Sequence, residues 1–208
     1  MKIGLVGLAG SGKDESAKII QELLPEFKID RYAGLLKETA RTVFGDNFDD
    51  RDVKEVPVRV SSTKLQASLY MLLHSLKLSV EDELGFQNLC LKHFSNVGEM
   101  SPREFQQLLG TEVGRKVNPD IWVNYIKRKD EKLIIPDVRF DNELVNFNIL
   151  ITRHPVPKGK LHSSEVFAAE LQLIDDPTNY VQAIIHNGGT LDDLRVKIEL
   201  LLKAYNII

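Results

Sequence analysis

The stretch KIGLVGLAGSGKDE, residues 2–15, decides the fold of this chain. Its first five residues form a short apolar run that predicts a β-strand, and residues 16–24 have helical spacing that Pro25 ends. Between these two elements, residues 7–13 match the first seven positions of G-x-x-x-x-G-K-[ST], a loop that holds nucleotide phosphates. The stretch therefore predicts a phosphate-binding loop at the carboxyl end of a strand.

The residue types in this loop suit the phosphates of ATP. Gly10 and Gly12 permit backbone angles closed to other residues, so that successive N–H groups, including that of Ser11, can point at phosphate oxygens. Lys13 can reach between the β- and γ-phosphates and offset the charge that develops during transfer. A glycine-rich turn followed by a surface lysine is the alternative interpretation.

The eighth position departs from the motif, because Asp14 stands where serine or threonine would bind Mg²⁺. A carboxylate beside the loop repels a bare triphosphate, so it needs a metal ion or an acceptor group to interact with. We therefore expect Asp14 to contact Mg²⁺ or the acceptor, and Glu15 to lie in the same ATP site. The alternative for Asp14 is a solvent-facing residue that stabilises the positive end of the helix.

Charge and cysteine content limit the classes of partner. The chain has 208 residues and a net charge of −3 from 27 basic and 30 acidic residues, so no broad positive field favours a nucleic-acid polymer or a membrane surface. No apolar run approaches the ~20 residues of a membrane helix. Cys90, the single cysteine, cannot form an intramolecular disulfide, and its apolar neighbours indicate a buried structural thiol. We expect a cytoplasmic protein.

The order of elements predicts an α/β fold with a parallel sheet flanked by helices. Residues 46–100 form a mostly helical insertion in a single predicted domain, 1–208. The run KLIIPD, residues 132–137, predicts a buried strand that ends at Pro136, with Asp137 at its ligand-facing end. Further strands are predicted at residues 27–32, 149–152 and 183–185, and further helices at 34–44, 62–78, 83–94, 101–113, 119–127 and 190–204.

Four later segments accompany the loop in order. They are REFQQLLGTE at residues 103–112, PDVRFDNE at 136–143, ITR at 151–153 and HSSE at 162–165. Together with SGKD at 11–14, they resemble the bacteriophage deoxynucleoside monophosphate kinases over nearly the whole chain, most weakly across 46–100. The GKD variant by itself is shared with other small-molecule kinases, such as animal-type phosphomevalonate kinases. The resemblance implies a P-loop kinase three-layer sandwich, with the insertion on the acceptor side and a lid segment at about 153–165.

The resemblance also implies that six residues surround an acceptor monophosphate: Asp14, Arg103, Trp122, Asp137, Arg139 and Glu143. The two arginines suit bidentate binding of a phosphate, and Trp122 offers a flat face to a nucleobase. Asp137 can hold Mg²⁺ through water or orient Arg139, and Glu143 can accept a hydrogen bond from the base or sugar.

Each of these residues has a structural alternative. Arg103 can be an ordinary surface arginine, and Trp122 shares an apolar stripe with Ile126 and can belong to the core. Asp137 and Arg139 can form only a structural pair. Glu143 can lie on a solvated helix face.

On the donor side the resemblance implies a lid arginine, Arg153, over the triphosphate, and an adenine contact at Asn187 and Gly188. A turn and helix cap would demand similar residues at 187–190. Lys13, Asp14, Arg139 and Arg153 are therefore the implied catalytic residues.

Polar residues between Arg153 and the next predicted helix belong to the lid segment. His162 and Glu165 can bracket the lid, although a helix start explains Glu165 nearly as well. Lys158 and Lys160 are interpreted as solvated charges.

These residues predict a phosphotransferase that moves the γ-phosphoryl group of ATP, with Mg²⁺, to a deoxynucleoside monophosphate. The alternatives are a P-loop kinase of another small phosphorylated acceptor, of the dephospho-coenzyme A or phosphomevalonate type, and a nucleotide-binding module without catalysis. A GTPase switch is disfavoured because the chain has no Asn-Lys-x-Asp motif. The resemblance implies the host cytoplasm if the protein is phage-encoded, and a homodimer is left open.

Overall fold

A computed structural model describes residues 1–157, 159, 161 and 163–208, with only the backbone at Ser163 and Ser164. The chain divides into two compact units. The first unit comprises residues 1–32 and 129–208, and the second comprises residues 33–128. The predicted insertion at 46–100 lies inside the second unit, which extends beyond it at both ends.

Strands and helices alternate over the first 44 residues, as the sequence predicts, and two short strands that were not predicted flank the helices at residues 62–94. The strands are β1 (Lys2–Val6), β2 (Lys28–Ile29), β3 (Val58–Arg59), β4 (Glu99–Met100), β5 (Leu133–Val138), β6 (Phe147–Thr152) and β7 (Ala183–His186). The helices are α1 (Lys13–Leu23), α2 (Gly34–Phe44), α3 (Ser62–Leu76), α4 (Val80–Phe94), α5 (Pro102–Gln107), α6 (Ile121–Lys127), α7 (Ser163–Leu173) and α8 (Leu191–Ala204). None of the helices in the described ranges is long and apolar enough to cross a bilayer.

The first unit is built on a parallel sheet in the order β2-β5-β1-β6-β7. β1 lies at the centre; β2 and β5 are added on one side of it, and β6 and β7 on the other. Ligands of open α/β sheets bind beyond the carboxyl ends of the strands, where the order changes direction. The phosphate loop follows β1 at that place, and the predicted α/β class with a parallel sheet is confirmed.

Pro136 lies inside β5, so the prediction that this strand ends there is wrong. Proline cannot donate to a sheet, and it is tolerated where the pairing is absent or irregular. β2 pairs with β5 only at Leu133 and Ile134, before the proline. The register between β5 and β1 shifts between Gly4 and Val6. The missing N–H therefore falls where the ladder has ended on one side and is irregular on the other.

Two helices cover one side of the sheet and close the core of the first unit. α1 contributes Ile19 and Ile20, and α8 contributes Leu194 and Ile198, to a cluster that also contains strand residues such as Ile149. These positions recur at helical spacing, so each helix turns one apolar stripe inward. α8 begins with a capping box between Thr190 and Asp193. This packing fixes the start of α1, and thus the phosphate loop, against the sheet.

The second unit is mainly helical, with a short antiparallel pair of β3 and β4. Phe105 on α5 is fully buried and contacts the rings of Phe44 and Phe94, with ring centroids 5.4 and 5.5 Å apart. The helix predicted from Ser101 continues past α5 as wider π-helical turns over Leu108–Arg115. Periodicity alone does not distinguish these wider turns from an α-helix.

Candidate active site at the carboxyl edge of the sheet

The phosphate loop has the backbone that its glycines predict. Gly10 and Gly12 have φ angles of 74° and 100°, which L-residues rarely adopt. A Cβ on Gly12 would also lie 2.3 Å from Nδ2 of Asn187. Gly12 precedes α1, so the positive end of this helix faces the loop.

Asn187 fastens the loop to the sheet. Its Nδ2 donates to the carbonyl oxygen of Ser11 over 2.8 Å. Its backbone N–H donates to the carbonyl oxygen of Thr152, at the end of β6, over 2.6 Å. The side chain of Asn187 is thus buried against the loop, whereas Gly188 is exposed. The adenine contact assigned to these two residues stays a prediction.

Lys13 donates from Nζ to the carbonyl oxygens of Gly7 and Leu8, over 2.6 and 2.8 Å. The loop in which a phosphate would bind therefore holds the ammonium group of Lys13 through its own carbonyl oxygens. Burial lowers the pKa of Lys13, and the positive charge of Arg139 lowers it further. The two positive charges therefore lie within electrostatic range of each other.

Three carboxylates oppose this lowering of the Lys13 pKa, those of Asp14, Glu165 and Asp137. The structure thus groups four of the predicted site residues, Lys13, Asp14, Asp137 and Arg139, within electrostatic range. Glu165, predicted only as a lid residue, accepts a hydrogen bond at Oε1 from the backbone N–H of Ala9 over 2.9 Å. A carboxylate of α7 therefore holds a donor of the phosphate loop.

Asp14 is paired with an arginine that the sequence analysis did not single out. Its Oδ1 accepts from Nη2 of Arg31 over 2.6 Å, and about two thirds of the Asp14 side chain is exposed. Arg31 follows β2, and a cation just past a parallel strand is the signal that would have found it.

The segment after β5 is held by a network of hydrogen bonds. Oδ1 of Asp137 accepts from the backbone N–H of Tyr32 over 3.0 Å, and the Tyr32 hydroxyl donates to the carbonyl of Glu143 over 2.6 Å. Oε2 of Glu143 accepts from the backbone N–H of Arg139 over 2.7 Å. Burial and the two carboxylates raise the pKa of the Tyr32 phenol far above its usual range, so it remains a donor. Glu143 is buried rather than on a solvated helix face.

The remaining acceptor residues, Arg103 and Trp122, belong to the second unit. Arg103 is exposed, and its Nε lies 3.8 Å from Oε1 of Glu55. Trp122 is only 2% exposed, and its Nε1 donates to the carbonyl of Gly110 over 3.0 Å. A stacking base needs an open ring face, so in this structure Trp122 takes the core alternative.

The other donor-side residues lie on the surface. Glu15 accepts from Lys18 one turn along α1, over 2.7 Å. Arg153 is exposed directly after β6. The predictions for Lys158, Lys160 and His162 lie outside the described residues.

Asp14 and Asp137 are the two side chains for which a contact with Mg²⁺ was predicted, and this assignment stays a prediction. Within the described ranges, no group of three or more His, Cys, Asp or Glu side chains could hold a metal ion. Mg²⁺ bound with a nucleotide takes most of its ligands from phosphates and water, so one or two carboxylates suffice. The exposed carboxylate of Asp14 beside the loop fits this role.

No protein-family model and no curated protein matches the chain. Among solved structures, TT1252 from Thermus thermophilus is similar at 15% identity and a TM-score of 0.38, covering 98% of this chain and 97% of that one. A thymidylate kinase from Candida albicans is similar at 13% identity and a TM-score of 0.38, covering 99% and 92%. At identities and TM-scores this low, neither likeness bears on what this chain binds.

Proposed function

We propose that this chain is a P-loop kinase that transfers the γ-phosphoryl group of ATP to a deoxynucleoside monophosphate, giving ADP and the diphosphate. The observation that carries the proposal is the charge cluster around Lys13, which lies at the carboxyl edge of a parallel sheet beside a glycine-rich loop. Arg139 adds a second cation to it. A loop that only bound a nucleotide would not require this arginine.

Electrostatics would supply most of the catalysis. The acceptor phosphate is largely ionised at neutral pH, so its oxygen can attack without a general base. The bond from the γ-phosphorus to the bridging oxygen breaks, the electron pair stays on ADP, and a new bond to the acceptor oxygen forms. Lys13 and Arg139 would stabilise the charge on the equatorial oxygens. Mg²⁺ would enter with ATP and neutralise its phosphates, with Asp14 and Asp137 bound to its water ligands.

A deoxynucleoside monophosphate is the first choice of acceptor because of the resemblance carried by SGKD, PDVRFDNE and the later segments. A second candidate is a kinase of a non-nucleotide phosphorylated acceptor. The burial of Trp122 favours it, because the indole was the reason to prefer a flat acceptor. An acceptor with a phosphate monoester, whether a nucleotide or phosphomevalonate, would meet the same two cations, Lys13 and Arg139.

The test is the release of ADP, measured with a coupled assay against the four common deoxynucleoside monophosphates, their ribonucleotide counterparts, dephospho-coenzyme A and phosphomevalonate. Lys13→Ala should lower kcat by about 10²-fold or more, because it removes a charge directed at the transition state. Lys18→Ala, which alters an exposed lysine on the same helix, should keep the wild-type rate. Near-normal turnover by Lys13→Ala would remove the phosphate loop from the reaction.

A further inference from the structure

Arg31 occupies the turn that follows β2. β2 pairs in parallel with β5, so both strands end at the same edge of the sheet as the phosphate loop. Nη2 of Arg31 lies 2.6 Å from Oδ1 of Asp14, the residue that replaces the usual serine or threonine of the loop motif. The guanidinium group is therefore beside the phosphate loop.

The backbone around Arg31 is fixed on both sides. Oδ1 of Asp30 accepts from the backbone N–H of Arg31 over 2.7 Å, and Oδ2 of Asp30 is paired with Lys129. The next residue, Tyr32, donates to Asp137 and to the carbonyl of Glu143. The same segment thus reaches both the phosphate loop and the segment that carries Arg139.

The ion pair between Arg31 and Asp14 contributes little to stability. About a third of the Arg31 side chain and two thirds of the Asp14 side chain are exposed, and pairs of this kind are worth little because water screens them. A phosphate monoester carries more negative charge than one carboxylate and can accept both N–H groups of a guanidinium edge. Such a phosphate would compete well with Asp14 for Arg31.

We propose that Arg31 binds the phosphate of the acceptor, and that Asp14 holds the guanidinium group in place until the acceptor arrives. The proposal rests on the proposed function, since the acceptor is the phosphorylated second substrate. Arg31 would then join Arg139 and Lys13 around the transferred group, and Asp14 would be released towards the water ligands of Mg²⁺. The ligand class is a phosphate monoester, whatever its base.

The test compares Arg31→Ala and Arg31→Lys with Arg195→Ala, in steady-state kinetics that vary ATP and the acceptor separately. Arg195 forms a similarly exposed pair with Glu22 near the other end of α1, so it is a matched control. The acceptor is the one among dAMP, dCMP, dGMP and dTMP that the wild-type protein phosphorylates fastest. Arg31→Ala should raise the KM for this acceptor by about 10-fold or more, because a charge-assisted hydrogen bond is lost. The KM for ATP should change by less than about 3-fold.

Arg31→Lys should restore only part of the affinity for the acceptor that Arg31→Ala loses. Lysine keeps the positive charge but lacks the planar guanidinium group that donates two hydrogen bonds to one phosphate. Arg195→Ala should match the wild type in both KM values. A purely structural pair would instead leave the acceptor KM unchanged in Arg31→Ala, and this result would overturn the proposal. A rise confined to the KM for ATP would also overturn it, since Arg31 would then belong to the donor site.

Equilibrium binding of the same monophosphate, without ATP or Mg²⁺, provides a readout independent of turnover. Asp14→Asn should tighten binding, because it releases Arg31, and Arg31→Ala should weaken it. When Arg31→Ala is already present, adding Asp14→Asn should tighten binding of the monophosphate less than it does in the wild-type protein. A double-mutant cycle measures this difference. Equal tightening with and without Arg31 would contradict the holding role of Asp14. A wild-type protein that transferred phosphate to no acceptor would overturn the proposed function itself, whereas normal transfer with an indifferent Arg31 would overturn only this inference.

Discussion

Arg139 shows how a single residue is prepared for its proposed task. Its backbone N–H donates to the buried carboxylate of Glu143, and the carbonyl of Glu143 accepts from Tyr32. The acidic side chain predicted to read a base or sugar therefore positions the arginine segment in this structure. A buried carboxylate that accepts a backbone hydrogen bond restrains the segment more than a solvated one would.

At the residue scale, we predict that Arg139→Lys keeps the fold but loses about 10-fold or more in kcat/KM for the acceptor. Lysine retains the charge near Lys13 and loses the planar fork that binds two phosphate oxygens. Steady-state kinetics measures this loss. Arg41→Lys, at an exposed arginine of α2, is the control and should have no effect. Wild-type efficiency in Arg139→Lys would mean that Arg139 acts only as a point charge or not at all.

A carboxylate on α7 contacts the phosphate loop through residues that are far apart in the sequence. Glu165 accepts from the N–H of Ala9, 156 residues away in sequence. An ATP phosphate would use the same donor, and its charge would be repelled by Glu165. If ATP binds as proposed, the Glu165 side chain would have to move away from Ala9 when the nucleotide enters.

At the element scale, we predict that Glu165→Gln binds ATP more tightly than the wild-type protein, by about 5-fold. This corresponds to the ~1 kcal/mol repulsion of two unit charges about 4 Å apart in water. A titration of ATP without acceptor measures it, and Glu170→Gln, an exposed glutamate on the same helix, should leave the affinity unchanged. Weaker binding by Glu165→Gln would instead make Glu165 part of the ATP site.

In the second unit, the last turn of the π-helical segment, at Gly114, packs directly on Trp122. A Cβ added to Gly114 would lie 2.4 Å from Cζ2 of the indole. We predict that Gly114→Ala lowers the free energy of unfolding by about 1–3 kcal/mol, since an overfilled core must shift. Urea titration measures it. Gly98→Ala is the control, because a Cβ added there has no atom within 4 Å, and it should change the free energy of unfolding by less than ~1 kcal/mol. Equal stabilities of the two variants would show that Trp122 is loosely packed.

For the whole molecule, the elements that carry a local signal were predictable. The loop between β1 and α1, the helices of the second unit and the final helix all follow from periodicity, glycine spacing and caps. Pro136 was misjudged because its effect depends on which neighbours β5 has at that residue, and the sequence does not give strand order.

The extent of the second unit was harder to predict for a related reason. The sequence gives α2 its helical period, yet it does not tell which elements α2 packs on. In the structure α2 packs with α3 and α5, so it belongs to the second unit rather than to a strand–helix unit of the main sheet.

In the candidate site, too, residues with a local sequence signal were predictable, and contacts between distant parts of the chain were not. Asp14, Asp137 and Arg139 were predicted from motif and strand-end position, and in the structure their charges lie within electrostatic range of Lys13. The pairing of Arg31 with Asp14 was not predicted, because it requires that the turn after β2 reach the phosphate loop, which no local pattern encodes. The burial of Trp122 was also undecided, because an apolar stripe is common to core and ligand-facing aromatics.

Phosphorus NMR of one reaction mixture tests the central proposal most directly. The mixture contains the wild-type protein, MgATP and the four deoxynucleoside monophosphates, and a parallel sample contains Lys13→Ala. We predict that the wild-type protein consumes the γ-phosphate signal of ATP while equal amounts of ADP and a deoxynucleoside diphosphate form, and that Lys13→Ala forms neither at a comparable rate. Free inorganic phosphate as the only product, or no product while ATP remains bound, would contradict a kinase that acts on deoxynucleoside monophosphates.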